Sequence, residues 1–172
     1  VVLNINDRFG PVVLGTREKI LYGSGYIEDI LCGNRFRISS RSFFQINPVQ
    51  TEILYRTAVS FAALTGAETV LDAYCGTGTI GITASEHANQ VVGVEINRDA
   101  VKDAIANAKL NRVRNCFFVC GDAGEYMEEL AAQGKNFDLV FMDHMMPEMD
   151  GIETTKLIRL HSKPDIRNMI II

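Results

Sequence analysis

Four carboxylates, Asp72, Glu95, Asp122 and Asp143, stand at or just past the ends of short apolar runs. The first opens the loop Asp72-Ala73-Tyr74-Cys75-Gly76-Thr77-Gly78-Thr79, which follows the apolar run Thr69-Val70-Leu71. Glycines at a strand-to-helix junction let backbone approach a ligand closely, because they carry no Cβ. Gly76-x-Gly78-x-x-Gly81 fits the dinucleotide fingerprint, so the glycines alone leave a nicotinamide-dependent oxidoreductase open. Asp72 opposes that reading. A carboxylate beside the loop repels a pyrophosphate but attracts the amino and sulfonium charges of S-adenosylmethionine. Glu95 ends the run Gln90-Val91-Val92-Gly93-Val94, about twenty residues past the glycines, where such folds grip two ribose hydroxyls.

Positioning these groups requires parallel strands. Cys116 to Cys120 runs into Gly121-Asp122, and Phe137 to Met142 runs into Asp143. In a doubly wound sheet all strands point their C-terminal ends to one edge, which would gather the four carboxylates. Asp122 and Asp143 suit helix capping equally well. From Glu68 onward strands alternate with helices expected over 79–87, 98–111, 122–132 and 150–161, which predicts right-handed crossovers and a mainly parallel Rossmann-like α/β sheet. Upstream, Asn47 caps and Pro48 opens a helix whose buried face is Ile53, Leu54, Ala58, Phe61, Ala62 and Leu64, ending at Gly66. Residues up to about Ser40 form short strands, with a hairpin of Ile27 to Leu31 and Arg35 to Ile38 around Cys32-Gly33-Asn34. The expected parts are a β-rich segment over 1–40, a cofactor-binding domain over 41–143 and a tail over 144–172 that completes part of the sheet.

With 172 residues, 47% of them hydrophobic, the chain can bury one core. Its net charge of -4 gives no global nucleic-acid signature. RNA contact would need a local patch: Arg35, Arg37 and Arg41, or Arg98, Lys102, Lys109, Arg112 and Arg114 around one helix, where a solvated face is the simpler account. Cys32, Cys75, Cys116 and Cys120 form no CxxC pair, so neither a metal site nor a disulfide framework is expected, and the two in the Cys116 to Cys120 strand fit small buried hydrophobes. No signal peptide or membrane-spanning run is present, which points to the cytoplasm. The closing run Met169 to Ile172 predicts an apolar edge strand inviting self-association.

Ser42-Phe43-Phe44-Gln45-Ile46-Asn47-Pro48, the Asp72 to Gly81 loop, Val91-Val92-Gly93-Val94-Glu95-Ile96-Asn97, Ala106-Asn107-Ala108 and Gly121-Asp122-Ala123 together resemble the RNA uracil-5-methyltransferases, especially the 23S ribosomal RNA type. The resemblance covers roughly the first 140 residues. It implies S-adenosylmethionine as cofactor, uridine in RNA as substrate, and cofactor contacts from Gln45, Tyr74, Glu95 and Asp143. That family adds a cysteine thiolate to uracil C6, and a base later removes the C5 proton. The Ser-Cys-Asn-Pro segment that carries the thiolate does not occur here, nor does the family's C-terminal glutamate, and Cys75 matches a loop cysteine that is not the nucleophile. No catalytic residue is therefore assigned, and the expectation is cofactor binding without catalysis.

After Asp143 that family continues Pro-Pro-Arg, whereas this chain reads His144-Met145-Met146-Pro147. Phe137 to Arg159 resembles the middle of a response-regulator receiver, in which the aspartate matching Asp143 accepts phosphate. The resemblance suggests a chimeric join within the Phe137 to Asp143 strand, with a phosphoacceptor module as the alternative function. A receiver also needs an acidic Mg²⁺ pair on its first strand and later Ser/Thr and Lys residues, which are missing here.

Overall fold

A computed structural model describes residues 1–7, 9–10, 13–143, 150–160 and 169–172. Its centre is a five-stranded sheet of β5 (Thr69–Ala73), β6 (Gln90–Glu95), β7 (Cys116–Cys120), β8 (Leu139–Phe141) and β9 (Ile170–Ile171), in the order β7-β6-β5-β8-β9. Every pair is parallel, so the four carboxylates do reach one edge. The chain runs outward from β5 to β7, then crosses back to β8. That reversal puts the topological switch point beside β5, where α/β sheets open a crevice for ligands.

Parallel strands sandwiched by helices are apolar on both faces. Val70, Val91, Leu139 and Phe141 pack on one face, beneath α1 (Pro48–Ala62), α2 (Thr79–Ala84) and α3 (Arg98–Leu110). Leu71, Val92, Val94 and Val140 pack on the other with Ala123, Tyr126 and Met127 of α4 (Ala123–Ala132). A fifth helix, α5 (Gly151–Arg159), is capped by Asp150, whose side chain accepts from Glu153 N at 2.8 Å. Of the expected tail, α5 and β9 are described and β9 joins the sheet, while 144–149 and 161–168, including the His144 to Pro147 stretch, lie outside the described residues.

The N-terminal segment makes two antiparallel pairs, β1 (Val2–Ile5) with β2 (Arg17–Ile20) and β3 (Tyr26–Leu31) with β4 (Asn34–Ser39). The hairpin turn is tighter than the sequence suggests. Asn34 pairs with Leu31, so only Cys32 and Gly33 turn, both at positive φ (51° and 82°), as a type I′ hairpin requires. A row of α3 side chains satisfies the other edge of β4. Asp103 accepts from Ser39 N (3.2 Å), Asn107 accepts from Arg37 N (2.7 Å) and donates to Arg37 O (3.1 Å), and Asn111 does the same at Arg35 (2.9 and 2.7 Å). Positions four apart on a helix meet alternate residues of a strand, so α3 stands in for a missing strand.

Asn47 caps α1 as expected, accepting from Gln50 N at 3.2 Å, with Pro48 at the first helical position. The helix stops sooner than Gly66, because Ala63 takes the left-handed conformation (φ 46°). Its inward face is Thr51, Tyr55, Ala58 and Ala62, whereas Ile53, Leu54 and Phe61 are exposed. That corrects the expected face: counting apolar residues missed Thr51 and Tyr55, whose polar atoms find partners when buried. Thr51 Oγ1 donates to Asn47 O, and Tyr55 Oη meets Thr79 Oγ1 at 2.8 Å.

Candidate cofactor site

A cleft of about 300 Å³ opens at the C-terminal edge of the sheet, between the glycine loop, the segment before α1 and the end of β8. Gln45, Asp72, Tyr74, Gly76 and Asp143 line it, with Phe43, Tyr55 and Phe141 completing its walls. Residues far apart in the chain meet there because β5 and β8 are neighbours and Tyr55 and Ala58 of α1 share both the core cluster and the cleft lining with Phe141 of β8.

The loop is held from below and from the side. Asp72 is 2% exposed, and its Oδ2 accepts from Gly81 N at 3.0 Å. Burial pushes its carboxyl up to about 7; the Gly81 bond works against that shift, and the nearby Glu95 charge adds to it. Asp72 thus sits beneath the loop rather than at its mouth, where it anchors the first turn of α2. Gly81 is required by that contact, since a Cβ there would come within 2.8 Å of Asp72 Oδ2. Cys75 N donates to Val94 O (3.0 Å) and Gly78 N to Cys75 O (2.8 Å), which ties the loop to β6. Tyr74 adopts φ 64°, a conformation costly for an aromatic residue, and this turns its ring into the cleft.

Glu95 is the hinge of the arrangement. Its Oε2 accepts from Gly76 N (3.0 Å) and its Oε1 from Asn97 N (2.7 Å), so the glycine loop and the β6–α3 turn are joined through one carboxylate. A carboxylate accepts about four hydrogen bonds, so the two backbone donors orient Glu95 and leave acceptor capacity for hydroxyls. Gly76, at φ 53°, has nothing within 4 Å of where a Cβ would stand, which leaves open space over its backbone.

The other two expected site residues have structural duties. Gly78 has φ 78°, and a Cβ on it would lie 2.8 Å from the Phe118 ring; the same ring would meet a Cβ on Gly93 at 2.6 Å. These two glycines make room for Phe118. Asp122 caps α4 through a 3.0 Å bond from Glu125 N and does not line the cleft. Among the basic residues, Arg41 is tied to Glu18 (3.4 Å) and to Asp99 (3.8 Å), and Arg37 pairs with Glu28 at 3.0 Å while stacking over Tyr26.

All four cysteines are free, and among the described residues no cluster could hold a metal ion. Cys75 is buried, and burial together with the Asp72 and Glu95 charges drives its thiol far above its ordinary range, so it is no thiolate. Cys116 is likewise buried and pushed up to about 12, but Cys120 is exposed, against the expectation for that strand.

Asn107, in the Ala106-Asn107-Ala108 motif, has a role that the motif does not reveal. It is fully buried, and besides gripping Arg37 its Nδ2 donates to Thr77 O at 3.2 Å, which joins the N-terminal hairpin, α3 and the glycine loop. The signal was legible in principle: Asp103, Asn107 and Asn111 recur every fourth residue along a helix flank otherwise faced by alanines.

An open parallel sheet with a glycine loop after the first strand and a carboxylate ending the second defines the Rossmann-like class that binds a nucleoside-bearing cofactor at its switch point. The comparisons narrow the class. The family described as "Methyltransferase domain" matches residues 64–170, and the chain belongs to it. The match runs through the receiver-like stretch. An uncharacterised RNA methyltransferase of Enterococcus faecalis is 44% identical over 158 residues, 92% of this chain and 35% of that protein. One from Halalkalibacterium halodurans is 43% identical over 166 residues, 96% of this chain and 36% of that protein. The chain thus spans about a third of the length of these relatives. Among solved structures, the Pyrococcus abyssi tRNA (uracil-54, C5)-methyltransferase in complex with S-adenosyl-L-homocysteine superposes with a TM-score of 0.68 at 26% identity, covering 91% of this chain and 37% of that one. The fold and the S-adenosylmethionine expectation agree with this family.

Proposed function

We propose that the chain is the cofactor-binding part of an S-adenosylmethionine-dependent RNA methyltransferase that acts at uracil C5, with uridine in ribosomal RNA as substrate. The observation that carries the reading is Glu95, oriented by the Gly76 and Asn97 N–H groups beside a glycine loop with open space over Gly76. The cleft suits the cofactor. Glu95 lies outside the cleft lining but is bonded to Gly76, which is part of it, and would accept from the ribose hydroxyls; Tyr74 would wall the methionine end, and Gln45 and Asp143, which also line the cleft, would meet the cofactor's polar groups or the base. Asp72, whose carboxyl is raised to about 7 by burial, would give up its proton more readily beside the cofactor's sulfonium and then contribute negative charge below the loop. When bound, S-adenosylmethionine supplies an electrophilic methyl group on a sulfonium. The RNA relatives and the Pyrococcus abyssi tRNA enzyme support the substrate class.

Within these 172 residues the Ser-Cys-Asn-Pro segment does not occur and Cys75 is buried as a thiol, so we expect this chain to bind cofactor without methylating uracil. The phosphoacceptor alternative at Asp143, and the chimeric join behind it, find no favouring observation. The sheet order, with two strands outside β5 on the β6 side, differs from the 2-1-3-4-5 order of receivers. Among the described residues no helix is long and apolar enough to cross a membrane, and four free cysteines suit the reducing cytoplasm in which we place the protein.

Calorimetric titration with S-adenosylhomocysteine tests the reading. Glu95→Ala should weaken binding by about 2 to 3 kcal/mol, the worth of two hydrogen bonds to a charged acceptor. Equal affinity in the variant would remove Glu95 from the site, and tritium release from 5-tritiated uridine RNA would contradict the expected lack of catalysis.

A further inference from the structure

We propose that the solvent face of α3 is a track for RNA phosphates, leading away from the cofactor cleft. The proposal rests on the RNA methyltransferase reading and adds a contact surface to it. At 100° per residue, Arg98, Lys102 and Lys109 fall within a stripe about 40° wide; all three are exposed, as are Arg112 and Arg114 just past the helix end. Ile105, 38% exposed, is the apolar member of the same stripe. Ala100, Ala104, Asn107 and Ala108 occupy the opposite, buried side.

The acidic residues of this helix do not cancel the stripe. Asp103 is turned to the other flank, where it accepts from Ser39 N and Ser42 Oγ (3.2 and 2.7 Å). Asp99 is shared between Arg41 (3.8 Å) and Lys102 (2.8 Å), and that Lys102 side chain is still 66% exposed. A local excess of positive charge therefore persists on a chain whose net charge is -4.

The end of the helix supplies an independent observation. Arg112 has φ 59° in a turn closed by Val113 N donating to Ala108 O (2.9 Å) and Arg112 N to Lys109 O (3.1 Å). Glycine is the residue that fits this left-handed position without strain. An arginine there bears a conformational cost that its backbone role does not require, and its exposed side chain adds a cation just past the helix end. The stripe also starts near the site: Arg98 follows Asn97, whose N–H is held by Glu95. Arg98 and Lys102 step about 6 Å along the axis and Lys109 follows about 10 Å further on, so the cations are spread along the helix as phosphates of a single strand are, rather than gathered around one bound anion.

The test uses the 172-residue chain, a short uridine-rich single-stranded RNA with a fluorescent end, and the triple variant Lys102→Gln, Lys109→Gln, Arg112→Gly. The last change suits the backbone, so the variant should melt no lower than the parent. Anisotropy titrations across a salt series should show RNA affinity falling on the order of tenfold or more in the variant. The slope of log affinity against log salt should flatten by about 2, as expected for three lost phosphate contacts at ~0.7 each. Affinity for S-adenosylhomocysteine should not change. Unchanged RNA affinity and slope would overturn the track and leave the cofactor and substrate reading standing. Failure of the parent chain to bind RNA, with cofactor binding intact, would overturn the track and count against the RNA substrate. Polyglutamate displacing RNA's place by binding as tightly would assign the stripe to an acidic protein and overturn it too.

Discussion

Replacing Asn107 by alanine should damage this protein more than any single loss of a methylene from its core. The side chain is 0% exposed and makes three hydrogen bonds to backbone, with Arg37 N at 2.7 Å, Arg37 O at 3.1 Å and Thr77 O at 3.2 Å. Truncation removes these bonds and strands their partners, at roughly 1 to 2 kcal/mol each once desolvation is counted, so the loss should be about 3 to 5 kcal/mol. For a domain of this size that lowers the melting temperature by roughly 6 to 20 °C. Asn107→Asp is the sharper variant. Its carboxylate still accepts from Arg37 N but faces the two carbonyls that Nδ2 served, so it should be no better than alanine at neutral pH and should recover in part on acidification. Asn111→Ala, at the more exposed end of the row, should cost about 1 kcal/mol. Thermal and urea unfolding of the three variants measure all of this. An Asn107→Ala loss under 1 kcal/mol would refute the idea that the helix row holds the hairpin and the glycine loop in place.

Asp72 should make stability fall as pH rises. Its folded value of about 7 lies above the ordinary carboxyl range, so the native state holds the proton more tightly; the contribution of Asp72 to stability is fully present below about pH 4 and is lost progressively up to pH 7. Asp72→Asn, which can still accept from Gly81 N, should flatten that slope and stabilise the unliganded protein at pH 8 by about 2 to 4 kcal/mol; an unaltered slope in urea titrations at several pH values would exclude the explanation. At the other end of the sheet, β9 is an edge strand among the described residues and Ile170 is 47% exposed, which suggests self-association. Light scattering over a concentration series should show association that Ile170→Lys reduces, and a strictly monomeric parent would defeat it.

The sequence by itself determined the alternation of strand and helix from Thr69 onward, because buried parallel strands leave unbroken apolar runs and their helices announce themselves through caps such as Asn97 and Asp122. It also determined that Asp72, Glu95, Asp122 and Asp143 share one edge, since a parallel sheet allows no other arrangement. What each carboxylate does there was decided only by tertiary structure. Asp72 lies under the loop and Asp122 caps α4 because neighbouring N–H groups take their oxygens, while Glu95 bridges two turns. The buried face of α1 is hidden from the sequence for a related reason. A buried Tyr55 or Thr51 is stable only when another element supplies a partner, and that partner cannot be counted along a single helix. The glycines divide in the same way: Gly78 and Gly93 answer to the Phe118 ring, which reaches them from another strand, whereas Gly76 keeps the open space that the loop pattern promised. Periodicity is a local property of the chain, but hydrogen-bond satisfaction and close packing are settled between segments dozens of residues apart.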